Sequence, residues 1–586
     1  MSAHPDSQTL ALIRAARTLR GVPPEQHGLP FTNLRQLLSL HAKVSPEKVF
    51  LIHYDEEGRR EEWTFAAFNA RVHQTAGFLY DDLGVRRGDR VATIAHNHAD
   101  TAVLYFACWL IGAAVAPQNV TEDDQRIAFI LRNSEAVVCF ARAEYLERAE
   151  RIISGSEAGL GAPNIRQIVV MGGDGGGRCL EFDSEIAQRP NTFISTTERP
   201  TLDDEALLVY TSGTTGAPKG VVLTQMHLLI DAQGIAAWHG ITGNQRMMCV
   251  LPIHHVNGIV VTIITPLLVG GSTVLNRAFS VSHFWERIAR EGVQIVSVVP
   301  TLLQFLLDYA GSQSEKGMSI FGQGVTTADL MRFRYLICGA GTLSMAQVRS
   351  FEERFGVPIL HGYGLSETTC YSCFLPVTLT AAERRRWLFD FGYPSIGCPI
   401  APNEMAIFDP LGEGRELAPG ERGEICIRGH NVMKYYYLRP DANAETFKFG
   451  WFRSGDEGFF ELGDDGRRYF FITGRLKELI NRGGVKFSPF DIEEALVTYP
   501  GVRVGLAVGF KNDYYGEEVG AYVVVEKGAN VDADALLAHC RERLTFEKAP
   551  KVVVFGTDVP VTTTGKYQRL RLQGLFAEWE HTQFRK

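Results

Sequence analysis

The sequence has no basic surplus: 59 Lys and Arg stand against 67 Asp and Glu, a formal net charge of -8, with a pI near 6.1. Non-specific nucleic-acid binding needs a basic footprint, so that class is excluded. No apolar run is long enough to span a bilayer, which takes about 20 residues. The most apolar stretch, 259–269, is broken by Thr262, Thr265 and Pro266. The N-terminus offers no secretory signal, because Ala3, His4, Pro5 and Asp6 lead into a polar, Arg-bearing segment. There Leu10, Ile13 and Leu19 alternate with Arg14, Arg17 and Arg20, which predicts a short amphipathic helix docked on the body of the protein, in preference to a membrane surface. Metal-type cysteine spacing is missing too. The ten cysteines are scattered through apolar runs, and the pair Cys370 and Cys373 (CxxC) has no second ligand pair or suitably spaced His. Buried reduced thiols of a cytoplasmic protein are expected, not a zinc or redox centre. No repeat at solenoid periods is present.

What is present is an ordinary globular composition, 45% hydrophobic and 22% charged, in a chain too long for a single core. Apolar β-branched runs at 90–94, 165–171, 294–299 and 334–338 alternate with helical spacing at 284–291 and 345–355. That alternation predicts an α/β fold: a large N-terminal domain, residues 1–474, of parallel-rich sheets covered by helices. From residue 475 the pattern changes. A charged stretch and Gly483-Gly484 precede a helix over 489–497, strands over 504–508 and 521–525 around a polar turn at 511–518, a helix near 532–544 and a strand at 552–555. Residues 475–586 are expected to form a small α+β C-terminal domain. The glycine-rich segment 172–177 has no helix start after it and reads as a surface loop; 378–390, with Glu383 and three consecutive arginines, reads as a solvated helix.

The strand-like run 206–210 opens into Thr211, Ser212, Gly213, Thr214, Thr215, Gly216, Ala217, Pro218, Lys219 and Gly220. Small residues let backbone amides approach an anion, the four hydroxyls add donors, and Lys219 adds a point charge, a set suited to a polyphosphate. A Walker A loop is excluded by spacing, since it needs four residues between Gly and Gly-Lys-Ser/Thr. Alone, such a loop reads equally as an ordinary turn. It is followed in order by 362–368 (GYGLSET), 451–456 (WFRSGD), 469–475 (YFFITGR), 476–484 (LKELINRGG) and 561–569 (VTTTGKYQR).

In that order and spacing the segments resemble those of the adenylate-forming superfamily, in particular its AMP-forming acyl-CoA synthetase branch, over roughly residues 31–572. The resemblance implies an acid–thiol ligase that uses ATP, Mg²⁺ and coenzyme A. It implies that Thr211 to Lys219 cradle the phosphates and that the backbone of Gly339, Ala340 and Gly341 lies along the adenine. Gly362, Tyr363 and Gly364 would bring an aromatic ring to the adenine, Ser366 a hydroxyl to the α-phosphate, and Glu367 a carboxylate to Mg²⁺. Ser366 stands where the family commonly has Thr. Asp456 and Arg475 would take the ribose, with Ile472 packing on the nucleotide. Lys477 would be the hinge of a mobile C-terminal domain that carries the adenylation lysine, Lys566, on one face and Gly483, Gly484 and Lys486 on the coenzyme A side. These roles suit the chemistry: Mg²⁺ prefers carboxylate and phosphate oxygens, and a lysine offsets the charge where two anions meet.

The segment 251–258 (LPIHHVNG) resembles the lining of the family's acid pocket. His254 or His255 would contact or gate the carboxylate, with His255 the catalytic candidate, although a hydrogen-bonded structural histidine is the competing reading. Asn257, Gly258, Thr301 and Cys338 are placed beside them. No Arg or Lys occurs in these stretches, which points to a monocarboxylic acid. The competing function is an adenylation enzyme that loads a separate carrier protein; the RGG segment and the absence of room for a fused carrier favour coenzyme A. Partners are therefore expected to be small molecules, with no nucleic acid and no membrane insertion.

Overall fold

The structure, a computed structural model, describes residues 5–192, 196–211, 218–561 and 567–585. Two large sheets form the body. The first is built around the parallel strands Ser272–Asn276, Arg246–Cys249, Ile295–Val298, Tyr335–Cys338 and Ile359–Tyr363. The second runs in parallel from Gln167–Met171 through Val138–Arg142, Arg90–Ile94 and Ala114–Gln118 to Glu205–Thr211, then closes with the antiparallel strands Lys219–Thr224 and Tyr435–Tyr437. Val138–Arg142 and Ala114–Gln118 are buried at every residue, as strands covered on both faces must be. The helix Ala99–Ile111 is likewise buried along its whole length, which explains its apolar run from Ala102 to Ile111.

A third sheet departs from the parallel-rich expectation. Asn403–Phe408, Gly423–Gly429, Phe452–Leu462 and Arg468–Arg475 are all antiparallel. Its last two strands are joined by a short turn, a connection available only to antiparallel neighbours. Asp456 sits inside the strand Phe452–Leu462.

The C-terminal domain is a five-stranded sheet with an apolar cluster on each face. Ala521 and Val523 enter one cluster with Ile492 and Leu496, while Tyr522 and Val524 enter the other with Leu572 and Phe576, the two-residue period of a strand covered on both sides. The expected polar turn at 511–518 is shorter. Val502–Asn512 and Gly516–Val525 pair as far as Asn512 and Gly516, because Glu518 is buried in an ion pair with Arg482 at 2.7 Å and so belongs to the sheet interior.

Smaller corrections follow the same logic. The N-terminal helix is Ser7–Ala16; Ile13 and Ala16 dock on the main core, and Leu19 lies beyond the helix, bridged to Val22. The helix within 378–390 is Ala381–Phe389 and is not wholly solvated, for Trp387 is buried and stacks on Tyr469 at 3.8 Å. Among the described residues no helix is long and apolar enough to cross a membrane, and no cluster of His, Cys, Asp and Glu is arranged to hold a metal. All ten cysteines are free thiols; burial pushes those of Cys370 and Cys373 well above their ordinary range, which leaves them unreactive.

Candidate active site

Parallel strands deliver their C-terminal ends to one edge of a sheet, where ligands of α/β folds bind. Cys338 and Tyr363 end adjacent strands of the first sheet, and the loops that leave them carry Gly339, Ala340, Gly341, Gly364 and Ser366. The backbone there is tight. Ala340 holds a left-handed φ of 63°, and a Cβ on Gly364 would come within 1.8 Å of the Cys370 carbonyl oxygen. Glu367 follows on a short helical turn and is buried.

The second sheet meets this edge through Tyr436. Its hydroxyl donates to Glu367 Oε1 at 2.7 Å, and the Met433 N–H holds the Glu367 carbonyl at 2.8 Å. Lys219 Nζ lies 4.5 Å from the centre of the Tyr436 ring. Burial draws the Lys219 ammonium below its ordinary range, against the opposing pull of Glu367. Burial, reinforced by Glu367, holds the Tyr436 phenol well above its range, so it remains a donor. Thr211 pairs with Lys219 across the antiparallel strands. Ser212, Gly213, Thr214, Thr215, Gly216 and Lys566 lie outside the described residues.

Asp456 and Arg475 face each other across the hairpin of the third sheet. Tyr363 donates its hydroxyl to Asp456 Oδ2 at 2.7 Å, and burial with the Asp456 charge raises that phenol well above its range. Asp456 Oδ1 is 3.2 Å from Arg475 Nε; the same oxygen is buried and has no hydrogen-bond partner among the described residues. An orphaned carboxylate oxygen beside a guanidinium fits a ribose hydroxyl. Asp456 in turn raises the Arg475 pKa, so the cation persists. Ile472 is half-buried on the same strand and packs on the main core.

In the segment 251–258 the rings of His254 and His255 are 4.4 Å apart. Burial, with His255 alongside, holds His254 well below its ordinary range, which makes it a neutral imidazole. Asn257 and Gly258 open a buried π-helix, Asn257–Ile264, a geometry concentrated at functional sites. Asn257 Oδ1 accepts from Ser297 Oγ at 2.7 Å, and its Nδ2 donates to the Tyr371 hydroxyl at 3.2 Å. Cys338 is buried nearby in sequence register with Val298, and Thr301 is half-buried at the start of the helix Pro300–Glu315. Asn97 pins this segment: it accepts from the Ile253 N–H at 2.8 Å and donates to the Leu251 and Asn276 carbonyls, both at 3.0 Å.

Lys477 is exposed at the junction with the small domain. Gly483 and Gly484, with φ of 59° and 88°, make the two-residue turn between Ile480–Arg482 and Val485–Phe487, where left-handed backbone matches strand twist. Lys486 is exposed on the outer of those strands.

The structure brings Lys219 and Glu367 together around Tyr436, and Tyr363, Asp456 and Arg475 together as a second group. The sequence reading missed Tyr436, Tyr371, Ser297 and Asn97. Their sequences carry no recognisable spacing; only strand pairing and loop contacts bring them to the site.

Residues 38–437 match the AMP-binding enzyme family and residues 491–566 match its AMP-binding enzyme C-terminal domain. The chain is 34% identical over 546 residues to a sulfoacetate–CoA ligase of Cupriavidus necator, covering 92% of this chain and 97% of that protein. It is 31% identical over 511 residues to an oxalate–CoA ligase of Arabidopsis thaliana, covering 86% and 92%. The solved o-succinylbenzoate–CoA synthetase of Bacillus subtilis, in complex with its acyl-adenylate intermediate, aligns with a TM-score of 0.75 at 26% identity, over 95% of this chain and 99% of that one. With both family domains matched along the chain and a relative at 34% identity over nearly its whole length, the protein belongs to the AMP-binding enzyme family as an AMP-forming carboxylate–CoA ligase.

Proposed function

We propose that this ligase activates a compact carboxylic acid bearing a hydrogen-bonding group, in the cytoplasm, with residues 1–474 and 475–586 as its two working domains. The carrying observation is the buried network of Asn257, Ser297 and Tyr371, in which Tyr371 is 1% exposed. The resemblance of residues 251–258 to an acid-pocket lining sets this network beside the acid, where a long alkyl chain would cover its remaining hydrogen-bonding capacity without satisfying it. The relatives named for sulfoacetate and oxalate are consistent with small, oxygen-rich acids.

In the first half-reaction a carboxylate oxygen attacks the α-phosphorus of ATP and pyrophosphate leaves. Lys219 and Lys566 offset the crowded negative charge, and Tyr363, Asp456 and Arg475 orient the nucleoside. Mg²⁺ held by Glu367 would neutralise phosphate charge. In the second half-reaction the coenzyme A sulfur attacks the acyl carbon, AMP leaves, and the thiol proton is released. A turn of the small domain at Lys477 exchanges Lys566 for the Gly483–Gly484 hairpin and Lys486. His254 and His255, near the carboxylate, act as short-range hydrogen-bonding groups. Free thiols throughout suit a reducing compartment.

The test is pyrophosphate release with sulfoacetate, oxalate, ferulate, butyrate and octanoate in turn. Compact polar acids should exceed octanoate in kcat/KM by at least about tenfold. Octanoate as the best substrate would overturn the proposal.

A further inference from the structure

Lys477 lies between two anchors, within a turn closed by the Glu478 N–H donating to the Arg475 carbonyl at 2.9 Å, a bond that rotation at Lys477 would break. On one side, the Leu476 N–H donates to the Gly455 carbonyl at 2.9 Å, which ties it to the strand Phe452–Leu462 of the large domain. On the other side, the Glu478 carboxylate accepts from Arg569 Nη1 at 3.2 Å. Arg569 also sets Nε and Nη2 on the two oxygens of Glu493, at 2.6 and 2.8 Å, the two-pronged geometry that guanidinium makes best. The side chains of Arg569, Glu478 and Glu493 are 7%, 9% and 10% exposed. The Ala507 N–H adds a bond to Glu493 at 3.1 Å, and the Phe490 ring lies 5.0 Å from the guanidinium. One arginine, three positions beyond Lys566 in the sequence, thus holds the residue that follows the hinge to the core of the small domain. Removing one partner would strand a charge in a low-dielectric interior, so the triad moves as a unit.

We propose that Arg569 is a positioning residue that couples the hinge to the adenylation segment. Through Glu478 and Glu493 it makes everything from residue 478 onward one body, confines the backbone turn to Lys477, and carries the Lys566 segment with that turn. The inference rests on the two-state, domain-turning reading above. Hinge residues are few and sit at element ends; here the structure assigns the turn to one exposed residue between two fixed ones.

The test measures the half-reactions separately in the full-length enzyme, using the acid ranked first in the pyrophosphate-release screen and its chemically prepared adenylate. Glu478→Gln keeps the shape of the triad and removes one charge; Arg569→Lys keeps the charge and loses the fork. Both should slow pyrophosphate release about tenfold at saturating ATP, while thioester formation from supplied acyl-adenylate stays within about twofold. A loss due only to general destabilisation would lower both half-reactions together. Lys477→Pro separates the two layers of the argument. If it changes neither half-reaction, the domain-turning reading fails. If it blocks thioester formation while Glu478→Gln slows both half-reactions alike, or neither, the hinge stands and the coupling by Arg569 is wrong.

Discussion

Glu367 and Lys219 come from different sheets, and Tyr436 stands between them, donating to one and lying under the other. The hydroxyl occupies one acceptor site on the carboxylate and so fixes which oxygen remains for a metal. A hydrogen bond to a charged group is worth about 1.5–3 kcal/mol. Tyr436→Phe, which keeps the ring beneath Lys219, should therefore lower kcat/KM for adenylation by about tenfold or more and raise the Mg²⁺ concentration needed for half-maximal rate. Steady-state rates across a Mg²⁺ titration would show it. An unchanged Mg²⁺ requirement would mean that Tyr436 does not orient Glu367. Glu367 itself was legible in the sequence, because its motif is local. Tyr436 was not, because its place depends on Tyr435–Tyr437 pairing with Lys219–Thr224, about two hundred residues upstream.

At the level of elements, the loop that carries Glu367 is braced by a helix. Asp231, fully buried on the helix Gln225–His239, accepts from the Tyr371 N–H at 3.3 Å and from Asn431 Nδ2 at 2.8 Å. Asn431 Nδ2 also reaches the Thr368 carbonyl at 3.1 Å, and Thr369 Oγ1 donates to the Asn431 carbonyl at 2.6 Å. Burial pushes the Asp231 carboxyl from its ordinary 3.8 up to about 8, against the pull of those two donors. The sign follows from linkage. The unfolded chain releases this proton near the ordinary value and the folded protein holds it until about pH 8. Asp231 therefore costs stability increasingly as pH rises between those values, and the cost levels off above the upper one. Asp231→Asn removes the titration. Its melting temperature relative to wild type should rise between pH 5 and pH 8, as thermal melts at the two pH values would report. A difference that does not vary with pH would refute the raised carboxyl. Nothing in the helical pattern of 225–239 marks Asp231, since its burial is decided by what packs on the helix.

At the scale of the molecule, the two domains have separate apolar cores and are joined by polar contacts together with Phe490, which packs half-buried against the large core. Ser488 donates to the Thr473 carbonyl, Arg422 lies 3.5 Å from Asp491, and Glu494 faces the backbone amides at the start of the helix Met345–Phe355. Contacts of this kind can be exchanged without opening either core, the usual condition for domains that move relative to one another. Lys566→Ala should accordingly lower adenylation by at least about a hundredfold yet leave thioester formation from a supplied acyl-adenylate largely intact. Rapid-mix measurement of each half-reaction would decide it; equal losses in both would show that Lys566 does not belong to one orientation of the small domain.

The sequence by itself determined the chemistry. A loop of small residues and hydroxyls, GYGLSET, an Asp ahead of an Arg, and a late lysine are local patterns, and local patterns survive without knowledge of the fold. It also determined the parallel strands, whose unbroken β-branched runs follow from burial on both faces. The antiparallel third sheet, the length of the Val502–Asn512 and Gly516–Val525 pair, and the partners Tyr436, Tyr371, Asp231 and Arg569 were decided only in three dimensions. In each case the residue is polar or aromatic and looks like surface in one dimension. Its role comes from a distant strand or helix that removes it from water and supplies the one partner it then needs.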